Sequence, residues 1–189
     1  MNKEQLRKFF SEKRNALLPV EQAKLDDLLL IQFQKAALPF IAQLLSFWPI
    51  DEKKEPNAHL ITDYLEFNYP GLKTAYPRID IFMDEIMAIS TDAETSFLKN
   101  EFNIYEPEEG NWIDPVEINL VLVPLLAFDK KGYRVGYGKG YYDKFLAGCS
   151  KNCIKAGFSY FDPVDEIPDK ADFDVPLNLC ITPQTVYVF

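Results

Sequence analysis

The chain has 189 residues, a length that favours one domain with a sizeable core over residues 1–189. Apolar residues make up 48% of the sequence and aromatic residues 14%, which excludes an intrinsically disordered chain. The formal net charge of −9 argues against a general binder of nucleic acid or of anionic membranes, so any anionic ligand needs a locally cationic pocket.

The first predicted element is an amphipathic helix over residues 3–17. Its apolar face consists of Leu6, Phe9, Phe10 and Leu17. A basic stripe of Lys3, Arg7 and Arg14 borders that face on the helical wheel. Such a stripe either lies in solvent, with its aliphatic stems on the apolar surface, or points into a cleft. Periodicity alone favours solvent.

The rest of the chain alternates between predicted helices and strands. Further helices are predicted at 19–35, 57–67 and 144–149, the first begun by Pro19 and the second capped by Asn57. The predicted strands are 40–48, 72–76, 86–89, 118–124, 154–158, 179–182 and 186–188. Residues 91–115 are acidic, and we predict an exposed loop there.

This alternation indicates an α/β fold, a three-layer α/β/α sandwich with a mostly parallel central sheet. In such sheets ligands bind outside the carboxyl ends of the strands. Four motifs fall at predicted strand ends: Trp48-Pro49, Tyr76-Pro77-Arg78, Tyr105-Glu106-Pro107 and Val123-Pro124. These strand ends are candidates to converge on one rim.

A glycine-rich loop follows the predicted strand at 118–124. Four glycines fall within nine positions, at Gly132, Gly136, Gly138 and Gly140. Arg134 and Lys139 lie among them, so backbone N–H groups and basic side chains are both available to a phosphate. Asp143 ends the loop as a hard oxygen ligand where a phosphate-bound Mg²⁺ would lie. The spacing matches neither a Walker A motif nor GxGxxG, and a purely structural loop is the alternative.

Cysteine and histidine content limits the available chemistry. The three cysteines, at positions 149, 153 and 180, have neither an even count nor CxxC spacing, so we expect free thiols in a reducing compartment. His59 is the only histidine, which excludes a zinc site built on several histidines, and we expect no catalytic role for it. Neither a signal peptide nor an apolar run of membrane-spanning length is visible, so we expect a cytoplasmic protein, and a monomer.

Short motifs along nearly the whole chain agree in order and spacing with one family. They are Lys3-x-x-Leu6-Arg7 with Arg14, Trp48-Pro49 with Glu55, Pro77-Arg78, Glu106-Pro107, Val123-Pro124 to Phe128-Asp129, the segment 132–143, and Phe173-Asp174-Val175-Pro176-Leu177-Asn178 followed by Ile181-Thr182. Together they resemble the 5-formyltetrahydrofolate cyclo-ligases, also called 5,10-methenyltetrahydrofolate synthetases. The segment 132–143 is the most specific of them.

The resemblance implies an ATP-dependent C–N ligase that converts 5-formyltetrahydrofolate to 5,10-methenyltetrahydrofolate and releases ADP and phosphate. It implies that ATP phosphorylates the formyl oxygen, that N10 then attacks the activated carbon, and that phosphate leaves. Such chemistry needs positioning and charge neutralisation more than a nucleophilic side chain. The expected partners are therefore ATP and 5-formyltetrahydrofolate, with Mg²⁺ as the cofactor.

The resemblance also assigns residues to the two substrates. The expected ATP contacts are Lys3, Arg7, Arg14, Arg134, Val135, Gly136, Tyr137, Gly138, Lys139, Gly140, Tyr141 and Tyr142. The expected folate contacts are Arg7, Trp48, Glu55, Tyr137, Gly138, Lys139, Gly140 and Tyr141. The implied catalytic residues are Arg134, Lys139 and Tyr141. The implied metal ligands are Asp143 and Asp174.

Two positions depart from the family pattern. Phe173 stands where the family often has histidine, and Asn178 stands where a second acid is common. An asparagine carbonyl can ligate Mg²⁺ but brings no charge.

Two other classes of function stay open on the sequence. One is a non-catalytic nucleotide- or folate-binding protein of the same fold. The other is an enzyme similar in architecture to sugar-phosphate isomerases or CoA transferases, for which Glu106 would be the candidate nucleophile.

Overall fold

An eight-stranded mixed sheet forms the centre of the computed structural model, which describes residues 1–189. Its strands are β1 (Gln43–Leu45), β2 (Lys73–Asp80), β3 (Glu85–Thr91), β6 (Trp112–Ile113), β7 (Leu120–Val123), β10 (Ile154–Phe158), β11 (Leu179–Ile181) and β12 (Val186–Val188). They lie in the order β12-β11-β10-β7-β1-β2-β3-β6. The five strands from β11 to β2 are parallel, and the outer strands are antiparallel. The predicted mostly parallel central sheet is confirmed.

Two short hairpins and four helices complete the fold. The hairpins pair β4 (Phe97–Lys99) with β5 (Tyr105–Pro107) and β8 (Ala127–Phe128) with β9 (Arg134–Val135). The helices are α1 (Lys3–Asn15), α2 (Pro19–Phe33), α3 (Ala58–Asn68) and α4 (Tyr141–Gly148), with single 3-10 turns at Asp51–Lys53 and Pro115–Glu117. None of the helices is long and apolar enough to cross a membrane.

Helices cover both faces of the sheet because its central strands are apolar on both sides. All four residues of β7 are buried, as expected for a strand with a packed layer on each face. Helices α2 and α3 pack on one face through Leu29, Phe33 and Leu65. Helix α4 packs on the other through Phe145 and Leu146.

Helix α1 lies against the β8–β9 hairpin rather than on the large sheet. Its start is fixed by a capping box, in which Asn2 Oδ1 accepts from the Gln5 N–H at 2.9 Å and Gln5 Oε1 accepts from the Asn2 N–H at 3.0 Å. Leu6 and Phe10 are buried against the hairpin. The helix ends two residues before its predicted end, and this docking brings its basic stripe to the glycine-rich loop.

Two predictions about the middle of the chain were wrong. Strand β2 was predicted to end at Tyr76, before Pro77, but it continues to Asp80. Strand β1 pairs only with Lys73–Ala75, so at Pro77 the strand β2 is paired on one side only, with β3. Pro77 has no N–H group to donate, but β1 does not extend to this position, so no acceptor on a neighbouring strand is left without a partner. The segment 91–115, predicted to be a loop, contains β4, β5 and β6.

Replacing Gly157 with alanine should lower the free energy of unfolding by about 1–3 kcal/mol, the usual cost of an extra methyl in a packed core. Gly157 lies in β10, and a Cβ there would meet Leu125 Cδ2 at 2.6 Å and Leu177 Cδ1 at 2.7 Å. Both leucines are buried and cannot move aside freely. Urea denaturation measures the change. Gly148→Ala, where a Cβ meets only Pro115 at 3.6 Å, is the matched control and should change stability little.

Candidate functional site

A cavity of about 540 Å³ opens at the carboxyl ends of the parallel strands. Phe47 and Trp48 follow β1 there, and Pro124 follows β7, as predicted from the strand ends. Its basic lining residues are Lys3, Arg7, Lys53, Arg134 and Lys139. Its acidic lining residues are Glu55, Glu106, Asp143 and Asp174. A volume of this size suits a small-molecule ligand, and the basic residues make a cationic region inside an acidic protein.

The glycine-rich loop forms one wall of the cavity and connects β9 to α4. Gly138 and Gly140 have φ values of 99° and 74°, which lie in the left-handed region that favours glycine. A Cβ on Gly138 would lie 3.4 Å from Arg7 Cζ, so the loop approaches α1 closely. Arg7 Nε donates to the Gly136 carbonyl at 2.9 Å. The N-terminal helix and the loop, far apart in sequence, therefore form one surface.

Arg134 and Asp143 form a buried ion pair under this loop. Arg134 donates to Asp143 Oδ1 at 2.9 Å and to the Val175 carbonyl at 2.6 Å, and its side chain is only 5% exposed. The Val175 N–H donates to the same Asp143 oxygen at 3.0 Å. Burial lowers the pKa of Arg134, and the Asp143 charge opposes that shift. Arg134 thus orients Asp143 at the cavity wall.

Lys3 and Asp174 form a second ion pair at the same end of the cavity. The Lys3 ammonium pairs with Asp174 Oδ2, which also accepts from the Ala171 N–H at 2.8 Å. The contact joins α1 to the segment before β11, across 171 positions of sequence.

The two carboxylates fit a magnesium site of the kind that bound phosphates complete. Asp143 Oδ2 and Asp174 Oδ1 have no hydrogen-bond donor from the protein, so both are available to a cation. No group of three or more histidine, cysteine or carboxylate side chains is placed to hold a metal. A cation here would need further oxygens from a ligand, as Mg²⁺ does when it binds with phosphates.

Glu55 lies at the other end of the cavity and is 4% exposed. The Tyr137 hydroxyl donates to Oε1, and the Ile50 N–H donates to Oε2 at 2.7 Å. Burial raises the pKa of the Glu55 carboxyl, and these two donors oppose the shift. Burial, and next the charge of Glu55, raise the pKa of Tyr137 as well, so its hydroxyl keeps its proton.

Trp48 belongs to an aromatic cluster beside Glu55. Its ring centroid lies 4.7 Å from Phe97, 4.9 Å from Tyr105 and 4.7 Å from His59. Burial lowers the pKa of His59, which favours the neutral ring. His59 therefore has a packing role. Of these four rings only Trp48 lines the cavity, and the other three pack around it.

The structure brings most of the expected site residues together. Lys139, Tyr141 and Tyr142 line the cavity, and the Tyr142 hydroxyl is buried without a hydrogen-bond partner. Two expected ATP contacts do not line it. Val135 packs in the core, and Arg14 lies behind Tyr137, to whose hydroxyl it donates.

Asn178 and Glu106 are occupied by structural hydrogen bonds. Asn178 Oδ1 accepts from the Lys155 N–H at 2.9 Å, and Asn178 does not line the cavity, so it adds nothing to the carboxylate pair. Glu106 Oε1 accepts from the Ile79 N–H and from Asn100, each at 2.8 Å. Glu106 therefore joins the β4–β5 hairpin to β2, which does not favour a nucleophile.

Several lining residues were missed from the sequence. Lys53, whose ammonium lies 4.0 Å from the Tyr137 ring centroid, comes from a charged 3-10 turn that had no recognisable pattern. Phe102 and Ile104 come from the β4–β5 hairpin. Their one signal was the short apolar run at 102–105 inside an acidic segment.

The fold and the cavity together define an α/β protein with a ligand-sized site at the carboxyl ends of its parallel strands. The sequence model of the 5-formyltetrahydrofolate cyclo-ligase family matches residues 1–183. The chain belongs to this family, which confirms the resemblance seen in its motifs.

Individual relatives agree with this assignment. A 5-formyltetrahydrofolate cyclo-ligase of Mycoplasma pneumoniae is 30% identical over 185 residues, which are 96% of this chain and 98% of the relative. The solved 5,10-methenyltetrahydrofolate synthetase of Aquifex aeolicus superposes with a TM-score of 0.82 at 27% identity, covering 100% of this chain and 93% of that one. The solved synthetase of Mycoplasma pneumoniae gives a TM-score of 0.74 at 30% identity, covering 96% and 98%.

Proposed function

We propose that this protein is an ATP-dependent 5-formyltetrahydrofolate cyclo-ligase, which forms 5,10-methenyltetrahydrofolate, ADP and phosphate. One observation carries the proposal beyond family membership. A single cavity joins a cationic glycine-rich loop to a buried carboxylate and an aromatic wall. The cationic loop suits a polyphosphate, and the carboxylate and the aromatic wall together suit a flat heterocycle with N–H donors.

The ATP end of the site acts by neutralising charge. Lys3, Arg7 and Lys139 converge there with the backbone of the glycine-rich loop. The formyl oxygen attacks the γ-phosphorus, and the bond to ADP breaks. N10 then attacks the activated carbon and loses its proton, and the phosphate leaves. Positioning and charge stabilisation accelerate the reaction, and no covalent intermediate with the protein is needed.

Asp143 and Asp174 would hold Mg²⁺ at this end. Each has one carboxylate oxygen without a protein donor, and both line the cavity. The ion would neutralise charge on the triphosphate. Arg134 and Lys3 keep the two carboxylates in place.

The folate end is built for recognition. Glu55 would accept hydrogen bonds from the pterin nitrogens, while Trp48 and Tyr141 supply aromatic contacts. Because Tyr137 and Lys139 are two positions apart on the same loop, the folate and phosphate sites are held in a fixed relation.

A coupled assay tests the proposal. Purified protein is mixed with Mg-ATP and 5-formyltetrahydrofolate, and methenyl product and ADP are followed together. We expect folate-dependent ADP release in step with product. Binding of both ligands without turnover would instead identify a non-catalytic binding protein. Size-exclusion chromatography of the same sample tests the proposed monomer, and cell fractionation tests the proposed cytoplasmic location.

Glu55→Gln should raise the KM for 5-formyltetrahydrofolate about 10- to 100-fold, because hydrogen bonds to a charged group contribute roughly 1.5–3 kcal/mol. The pH dependence of folate affinity separates the effect of the Glu55 charge from the effect of its shape. Wild-type folate affinity should fall as the pH falls through the raised pKa of Glu55, since protonation removes the carboxylate. The glutamine variant should lose this acidic limb, that is, the fall of folate affinity at low pH. Steady-state kinetics across pH measures both effects, and an unchanged KM would contradict the role of Glu55.

A further inference from the structure

Arg14 is a buried cation that the proposed mechanism does not use. It is 4% exposed and does not line the cavity. One guanidinium nitrogen donates to the Tyr137 hydroxyl at 2.5 Å, and another donates to the Leu125 carbonyl at 3.2 Å. Arginine has no acceptor, so the direction of both hydrogen bonds is fixed.

The direction of these bonds decides where the Tyr137 proton points. A phenol has one O–H donor, and Tyr137 accepts from Arg14. Its own proton is therefore free to be donated to Glu55 Oε1. Arg14, Tyr137 and Glu55 form a directional chain that runs from behind the cavity wall into the cavity.

The charges around Glu55 support the same chain of hydrogen bonds. A buried carboxylate is costly unless it is paired with opposite charge or well hydrogen-bonded. The groups that face Glu55 are Arg14 from α1, Lys53 from the adjacent 3-10 turn, Tyr137 from the glycine-rich loop and Tyr142 from α4. Lys53 is exposed to solvent, whereas Arg14 is buried. Arg14 is therefore the less screened of the two positive charges.

We propose that Arg14 is a positioning residue for folate recognition, which directs the Tyr137 hydroxyl to Glu55 and supplies the buried positive charge behind that carboxylate. The inference rests on the proposed function, because it takes Glu55 as the folate contact. Arg14 touches neither substrate and acts through Tyr137 and Glu55. This role replaces the ATP contact expected from the sequence.

Two substitutions at position 14 separate charge from geometry. Arg14→Met keeps the length and removes the charge, and it should weaken binding of 5-formyltetrahydrofolate about 10- to 100-fold at neutral pH. Removing the positive charge raises the pKa of Glu55 further, so the acidic limb of folate affinity should move to higher pH. The KM for ATP should stay within about twofold. Arg14→Lys restores the charge but not the two-pronged geometry, so the limb should return toward its wild-type position with affinity only partly recovered.

The measurements are folate affinity by isothermal titration calorimetry from pH 5 to 9, the KM for ATP, and Tm. Tyr137→Phe and the Arg14→Met/Tyr137→Phe double variant complete a mutant cycle, in which the two losses should be less than additive if Arg14 acts through Tyr137. If Arg14→Met does not fold, the same titration of Arg14→Lys decides, because it should bind folate at least about threefold more weakly than wild type.

Three results would overturn the inference. One is a folded Arg14→Met variant with wild-type folate affinity and pH profile. Another is a loss confined to the KM for ATP, and the third is full additivity in the cycle. Failure of the proposed function gives a different result, because the wild-type protein itself would then show no folate-dependent turnover, whatever the Arg14 variants do.

Discussion

Replacing Lys139 with alanine is expected to lower kcat at least about a hundredfold, the usual loss on removal of one preorganised group that stabilises transition-state charge. Lys139 lines the proposed phosphate end of the cavity, and its ammonium is not paired with any carboxylate of the protein. It lies 5.8 Å from the centroid of the Phe102 ring. Its charge is therefore available to a transferring phosphoryl group, where charge is spread over oxygens.

Steady-state kinetics with saturating ATP and folate measures this effect. Lys131→Ala is the matched control, because Lys131 is 61% exposed, pairs with Glu166 and lies outside the cavity. We expect its kcat to stay within about twofold of wild type, in line with the small contribution of surface ion pairs. A Lys139→Ala enzyme with raised KM for ATP but normal kcat would show that Lys139 binds ground state and transition state alike.

The outer helices and the central strands were predictable because their signals are local. Helices α1 and α3 carry apolar periodicity with a side-chain cap, α2 begins with a first-turn proline before a leucine-rich run, and β7 is a continuous apolar run. The strands of segment 91–115 were not predictable in this way. β6 has two residues and β4 and β5 have three each, and only pairing with distant partners orders them.

The residues of the site likewise divide into those with a local sequence signal and those without one. The glycine-rich loop was recognisable because its composition alone suits a phosphate. The contact between Lys3 and Asp174 spans 171 positions, and the contact between Tyr137 and Glu55 spans 82. No local pattern encodes such contacts, so these residues were assigned only through the family resemblance. The position of Arg14 shows what the resemblance missed, because a basic stripe on a helical wheel does not tell which member faces the cavity and which lies behind it.

The two ends of the cavity are connected through α1. Its residues Lys3 and Arg7 line the proposed phosphate end, and Arg14, two to three turns further along, lies behind the proposed folate end. The helix packs on the β8–β9 hairpin, whose second strand leads into the glycine-rich loop. A displacement of α1 would therefore disturb both ends of the cavity.

Asp143→Ala is expected to lower the free energy of unfolding by about 3–5 kcal/mol, because it leaves a buried charge without its partner. The Arg134 side chain is 5% exposed, and Asp143 supplies its paired carboxylate. Urea denaturation measures the loss. Asp165→Ala is the control, since the Lys130–Asp165 pair is 64% and 91% exposed and should contribute less than about 1 kcal/mol.

A double variant separates the cost of an unpaired charge from the net contribution of the pair. In Arg134→Met/Asp143→Ala the buried cation is gone as well, and such replacements of a whole pair are often neutral. The double variant should therefore be more stable than Asp143→Ala, although it should have lost activity with both residues. If Asp143→Ala were no less stable than Asp165→Ala, the guanidinium would have found water or another partner. The ion pair would then not be what holds Asp143 at the cavity wall.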